Sequence, residues 1–226
     1  PLGIPTSLRE MDGSGVHAFK LVNNQCDVNY VKFTWKSRQG NNGMTPAEAS
    51  AIQAVNFNHH TQDLYEHIEA GDFPVWDLFI QTIPVSSLND FDFNPLDTTK
   101  IWPEEMAASR KVGELVLNEV PEDFFQWTEQ SAFAPSNLIP GIEASEDRML
   151  QGRLFSYADT QRYRLGINHF QLSPNKPKAE VHAVTHQAGA GFSTLRERST
   201  NYFPSRYVAD DGYGTVDSKF KSCPTP

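Results

Sequence analysis

A tyrosine lies between two arginines at helical spacing in the segment 145–166. Arg153, Tyr157, Thr160 and Arg164 follow one another at i, i+4, i+7 and i+11, so at about 100° per residue they share one stripe of a helix. A guanidinium one turn from a phenol can reach its oxygen and favours the phenolate. A phenolate can bind haem iron, and the second arginine can meet a carboxylate of the same ligand through its planar fork.

The sequence marks both ends of the helix that would carry this stripe. Ser145 predicts the N-cap, Glu146 and Asp147 place negative charge on the first turn, and Gly166 stands where a left-handed C-terminal residue is expected. The spacing alone also fits, and by itself favours, an amphipathic helix whose solvated face holds a tyrosine and two arginines.

The composition indicates a folded acidic protein. The chain has 226 residues, 38% of them apolar and 12% aromatic, with a formal net charge of -9. This length allows one large domain or two small ones. Without a basic tract we expect no nucleic-acid partner. Without a long apolar run we expect no membrane partner.

The remaining elements predict an α+β fold with an antiparallel sheet. The turn-like connection after Asn23 predicts a β-hairpin, and Thr45, Pro46 and Glu48 predict the start of a helix with a capping box. The predicted strands are 17–23, 29–35, 76–83 and 112–118, and the predicted helices are one beginning at 45, one at 61–70 that ends at Gly71, and a short one at 123–130.

One histidine cluster invites a metal interpretation. His60, Asp63 and His67 lie at i, i+3 and i+7 of the second predicted helix. Histidines near an exposed helix start are usually solvated, so we favour the interpretation without a metal.

The stretch from Arg153 to Thr160, Arg-Leu-Phe-Ser-Tyr-Ala-Asp-Thr, together with Arg164-Leu-Gly, resembles the proximal haem-ligand signature of the haem catalases. Similar segments follow one another in catalase order over nearly the whole chain, and the resemblance fades after about residue 180. These segments are Gly3–Pro5, Met11–Gly13, His17–Asn23, Tyr30–Phe33, Gly71–Trp76, Lys100–Pro103, Val112–Asn118 and Pro135–Gly141.

The resemblance implies a catalase-like fold in one core domain. Residues 1–132 resemble the second half of an antiparallel β-barrel with inserted helices. Residues 133–226 resemble the wrapping segment, with the haem-ligand helix at about 145–166 and an irregular C-terminal tail. No segment resembles the N-terminal catalase region that carries the distal histidine and asparagine, so we expect a partial chain.

The resemblance also assigns roles on the proximal side of the haem. Tyr157 matches the axial ligand of the haem iron, and Arg153 matches the arginine that keeps it a phenolate. His17, Asp147 and Arg153 match a catalytic relay. Arg164 matches a partner of a haem propionate.

Two apolar residues match positions near the porphyrin, and several polar ones depart from the family pattern. Phe133 and Met149 match residues that contact the haem, although plain core packing is an equal alternative. The implied cofactor is haem b. NADPH is not expected, because Thr34 and Asp12 replace donors that the NADPH-binding enzymes use.

The implied activity is the disproportionation of hydrogen peroxide to water and dioxygen, which protects against oxidative stress. The resemblance also implies a soluble homo-oligomer, usually a tetramer, of the cytoplasm or peroxisome. Two alternatives stay open. One is a catalase-related enzyme that converts hydroperoxides, of the allene oxide synthase or small peroxidase type. The other is a haem-free structural module. Without distal residues, we expect this stretch alone to turn over little peroxide.

Overall fold

A computed structural model describes residues 3–176 of the chain. These residues divide into two compact units. The first unit comprises residues 3–21, 28–120 and 145–147, and the second comprises residues 22–27, 121–144 and 148–176. The predicted C-terminal tail lies outside the described residues.

The first unit is built on an antiparallel sheet. Its strands follow the spatial order β4-β3-β2-β1, and both β2–β3 and β3–β4 are antiparallel. Tyr30 on β2 faces Ile83 on β3, and the β3–β4 register shifts between Leu78 and Phe79. The strands are β1 Gly13–Val22, β2 Val28–Ser37, β3 Val75–Pro84 and β4 Arg110–Val116. All four predicted strands are therefore present, with bounds that differ by up to four residues.

The core of this unit lies against one face of the sheet. Tyr30 and Ile83 are buried there together with Trp102, which is 1% exposed. The Trp102 indole donates a hydrogen bond of 2.8 Å to the Pro95 carbonyl oxygen. The irregular segment after β3 is thus fixed by an aromatic side chain with a satisfied N–H group.

Two helices are inserted between β2 and β3, as predicted. Helix α1, Pro46–Val55, begins with the predicted capping box, because the Thr45 side chain accepts from the Glu48 amide and Glu48 reaches back to the Thr45 amide. Helix α2, His59–Glu69, begins two residues earlier than predicted. Gly71 follows it at φ +81°, a left-handed conformation that favours glycine.

The Asp63 carboxylate on α2 is bonded by the side chains of Ser7 and Arg9. It accepts two bonds from Arg9, at 2.9 and 3.0 Å, and one from the Ser7 hydroxyl. His67 bonds the Asp63 carbonyl oxygen at 2.7 Å. Within residues 3–176, no group of histidine, cysteine and acidic residues could hold a metal ion.

The second unit contains a long helix and several short elements. A π-helical turn, Phe125–Glu129, stands where a short helix was predicted, and the short strand β5, Ile142–Ala144, was not predicted. Helix α3 covers Arg148–Leu165, and a 3₁₀ turn covers His169–Gln171. Gly166 ends α3 at φ +106°, as predicted.

The predicted start of α3 was wrong. Ser145, Glu146 and Asp147 were expected at the N-cap and in the first turn, but the helix begins at Arg148. The three residues belong to the first unit, where their side chains bond to strand residues. Those bonds outweigh local capping preference. No helix among the described residues is long and apolar enough to cross a membrane.

Candidate functional site

The predicted arginine–tyrosine pair is formed on helix α3. One terminal nitrogen of Arg153 donates to the Tyr157 hydroxyl oxygen at 2.5 Å, and the guanidinium carbon lies 4.8 Å from the tyrosine ring centroid. Both side chains are half-buried. The spacing of four residues places them on adjacent turns of one face. The guanidinium therefore contacts both the oxygen and the ring of Tyr157.

Arg164, the second predicted arginine, bonds to other groups of the second unit. Its Nε donates to the Gln161 side-chain oxygen at 2.9 Å, and Nη2 donates to the Ser131 carbonyl oxygen at 2.5 Å. Nη1 donates to the Glu129 carbonyl oxygen. Arg164 thereby fastens α3 to the end of the π-helical turn.

Gln161 connects this arginine to the backbone of Phe133. Gln161 is 6% exposed, and its amide donates to the Phe133 carbonyl oxygen at 3.3 Å. The Phe133 side chain is 81% exposed and that of Met149 is 58% exposed. Neither side chain packs in the interior of the described part of the second unit. Sequence reasoning did not single out Gln161, because a lone glutamine carries no motif.

His17 and Asp147 are paired in the first unit. Asp147 Oδ2 lies 2.6 Å from His17 Nδ1, and the two side chains are 5% and 3% exposed. A carboxylate can only accept, so the proton between the two atoms is assigned to Nδ1. Such a carboxylate fixes both the tautomer and the orientation of the ring.

A second polar cluster lies next to this pair in the chain. The Tyr30 hydroxyl donates to Glu146 Oε2 at 2.7 Å, and the Lys20 ammonium donates to the other carboxylate oxygen. Burial, together with the bond to Glu146, raises the pKa of Tyr30. Burial alone would raise the pKa of Glu146, but the bonds from Lys20 and Tyr30 hold that pKa below its usual range.

Sequence reasoning missed this cluster, although one signal was available. Lys20 is two residues from Ala18 on an alternating strand, so both side chains belong on the same face. Both are buried. A lysine at a buried position requires a nearby acid, but sequence alone does not say which acid.

The structure thus brings the predicted residues together in two groups. Arg153 joins Tyr157 in the second unit, where Phe133, Met149 and Arg164 also lie, and His17 joins Asp147 in the first unit. The second unit therefore contains a phenol oxygen bonded to a guanidinium, exposed apolar side chains and a further arginine, which are residue types that could bind a flat apolar group carrying iron and carboxylates.

Comparisons with known proteins identify the family. The family model for catalase matches residues 1–209. A catalase of Vibrio vulnificus strain YJ016 is 51% identical over 230 aligned residues, covering 100% of this chain and 44% of that protein. A catalase of Vibrio cholerae serotype O1 is 55% identical, covering 91% of this chain and 40% of that protein.

Solved catalase structures share the fold. A bacterial catalase superposes with a TM-score of 0.84 at 38% identity, covering 98% of this chain and 43% of that chain. Catalase A from Saccharomyces cerevisiae gives a TM-score of 0.85 at 35% identity, covering 96% and 44%. The chain belongs to the catalase family, and the predicted catalase-like α+β fold is confirmed. It spans less than half the length of the two Vibrio catalases.

Proposed function

We propose that this chain supplies the proximal side of the haem site in a catalase that converts two molecules of hydrogen peroxide into two of water and one of dioxygen. The observation that carries the proposal is the 2.5 Å hydrogen bond from Arg153 to the Tyr157 oxygen. A tyrosine binds ferric iron well only as a phenolate, and a guanidinium bonded to its oxygen favours that form.

Tyr157 would be the axial ligand of haem b. The exposed side chains of Phe133 and Met149 offer the apolar surface that a porphyrin requires. When bound, haem b would supply the redox-active iron at which peroxide reacts. Arg153 would stabilise the phenolate ligand by donating an N–H to its oxygen.

Arg164 is assigned to a haem propionate, and its contacts restrict how it would do so. A guanidinium has five N–H donors. Within the described residues Arg164 makes four hydrogen bonds, and the remaining N–H is on Nη1. Arg164 would therefore offer a propionate one further bond while its other donors hold the guanidinium in a fixed orientation.

His17, Asp147 and Arg153 are assigned to the proximal relay of the family. The bond from His17 to Asp147 fixes the imidazole as the Nδ1–H tautomer, so a proton on this ring is held at a defined atom. We assign the whole protein hydrogen peroxide as substrate. By family analogy we assign it a homotetrameric assembly and a place in the cytoplasm or peroxisome.

The test is the optical spectrum of the full 226-residue chain with haemin, compared with that of Tyr157→Phe. We expect a high-spin ferric spectrum with a phenolate charge-transfer band that Tyr157→Phe lacks. Tyr163→Phe is the matched control, because Tyr163 lies on the same helix but is 87% exposed. Identical spectra for all three chains would contradict the proposal.

The reaction is tested on a longer protein that contains this chain. Oxygen evolution from hydrogen peroxide that disappears in Tyr157→Phe supports the catalase assignment. Conversion of a lipid hydroperoxide to an allene oxide without oxygen evolution would replace it by the related hydroperoxide chemistry.

A further inference from the structure

Three consecutive residues bond to the strands of the first unit through their side chains. The Ser145 hydroxyl donates to the Ala18 carbonyl oxygen at 2.5 Å, and Asp147 accepts from His17. Glu146, between them, bonds to residues on β1 and β2. Residues 145–147 belong to no helix or strand. Their side-chain bonds to the strands therefore help to position this segment.

The partly exposed carboxylate of Glu146 bonds to two buried side chains, Lys20 and Tyr30. The Lys20 side chain is 4% exposed, whereas that of Glu146 is 57% exposed. The Lys20 ammonium lies 5.8 Å from the Tyr30 ring centroid, and the Tyr30 hydroxyl donates to the same carboxylate. The two carboxylate oxygens thus each accept one bond from a different strand.

The buried ammonium of Lys20 determines where Glu146 must lie. A buried positive charge requires an opposite charge or water. Glu146 provides that charge from the segment next to Asp147, so satisfying Lys20 also places the backbone of residue 147. A Ser145 bond supports the same placement, because its hydroxyl accepts from the Asp147 amide at 3.3 Å.

We infer that Lys20, Tyr30 and Glu146 are positioning residues that hold the Asp147 carboxylate against His17 Nδ1. The three residues form one polar cluster of the first unit. It acts by fixing the acceptor that determines the tautomer and orientation of His17. The importance of this for catalysis rests on the proposed function, because only there does His17 belong to the proximal relay.

The experiment follows the His17 Nδ1–H proton by NMR in the full chain labelled with ¹⁵N-histidine, without haemin. The signal is assigned from its loss in His17→Gln. We expect Glu146→Ala to speed solvent exchange of this proton at least tenfold. Tyr30→Phe keeps the buried ring and removes one bond, so we expect about a threefold rise. Glu146→Gln keeps one accepting oxygen but loses the charge opposite Lys20, so we expect a rise between those of Tyr30→Phe and Glu146→Ala.

Glu114→Ala is the matched control, since Glu114 pairs with Arg38 and Lys111 on the same sheet. It should leave the His17 proton within twofold. Unchanged exchange in Glu146→Ala overturns the inference. A rise shared equally by the core backbone amides also overturns it, because Glu146 would then contribute only to stability. None of these readouts involves haem, so the inference can fail while the spectral test of Tyr157 succeeds, and the reverse.

Discussion

The His17–Asp147 and Arg153–Tyr157 pairs are held in opposite ways. Asp147 lies 130 residues from His17 in the sequence, and both side chains are almost completely buried. Arg153 and Tyr157 are four residues apart on one helix and half-buried. Helix geometry alone forms the second pair, whereas the first pair exists only because a distant segment returns to strand β1.

The surroundings of the two pairs differ as well. The strand pair lies in an interior that contains Lys20 and Ser145 with their partners. Helix α3, within the described residues, buries only Leu150 and Gln161, while Met149, Phe155 and Tyr163 are exposed. The comparison indicates that buried neighbours support the strand pair, whereas most of the α3 residues are exposed within the described part of the chain.

The largest expected effect tests how the helix is anchored. Leu150 is 0% exposed, so Leu150→Ala should lower the free energy of unfolding by about 3.5 kcal/mol through lost burial and a cavity. Phe155→Ala is the control on the same helix, and since Phe155 is 73% exposed we expect about 0.5 kcal/mol or less. Urea denaturation measures both. Equal losses would mean that α3 is covered on both faces.

Haemin should stabilise the two regions unequally. At a free concentration of one hundred times Kd, a ligand adds about 2.7 kcal/mol to the state that binds it. We expect haemin to raise the free energy of opening of the α3 amides, measured by hydrogen exchange, by up to that amount. The free energy of opening of the β2 amides should rise less. Tyr157→Phe should reduce the protection of α3. Equal protection of α3 and β2, or no protection of either, would contradict the expected difference between the two regions.

Removal of the buried acceptor should affect stability more than removal of an exposed acid. Asp147→Ala leaves the His17 N–H without its partner in the interior, so we expect a loss of about 2 kcal/mol in the free energy of unfolding. Asp159→Ala, an exposed acid on α3, should change it by less than about 0.5 kcal/mol. Chemical denaturation at pH 7 distinguishes them. A loss as small as the control would show that the pair is solvated.

The smallest expected effect is on the folding stability at acidic pH. The pKa of Glu146 is lowered in the folded chain, so its carboxylate stabilises the fold above its unfolded pKa of about 4.3, and this contribution disappears as pH falls through the lower folded value. Since the carboxylate is half-exposed, solvent screening keeps the contribution below about 1 kcal/mol.

Glu146→Gln removes that contribution. Its stability should therefore fall less between pH 7 and pH 3 than that of the unaltered chain, by urea midpoints. Glu105→Gln, at an exposed acid, should follow the unaltered chain. A Glu146→Gln chain with the same acid sensitivity as the unaltered chain would show that Lys20 is compensated by another group.

Local features of the fold could be predicted from the sequence. The capping box at Thr45, the left-handed glycines after α2 and α3, and the Arg153–Tyr157 contact all depend on spacings of at most four residues or on single backbone conformations. The four strands were predicted by alternation, and the family by its segments. The predicted strand ends differ from the observed ones by up to four residues, because strand ends depend on neighbouring strands.

The sequence by itself therefore determined the family, strands β1 to β4, the presence of helices α1 to α3, and the arginine–tyrosine pair. Only the tertiary structure decided that α3 begins at Arg148, that Lys20 and Tyr30 share Glu146, and that Arg164 binds backbone carbonyls of the π-helical turn. The physical reason is that a helix brings residues together by its period, whereas a buried charge takes whichever partner the fold brings within reach.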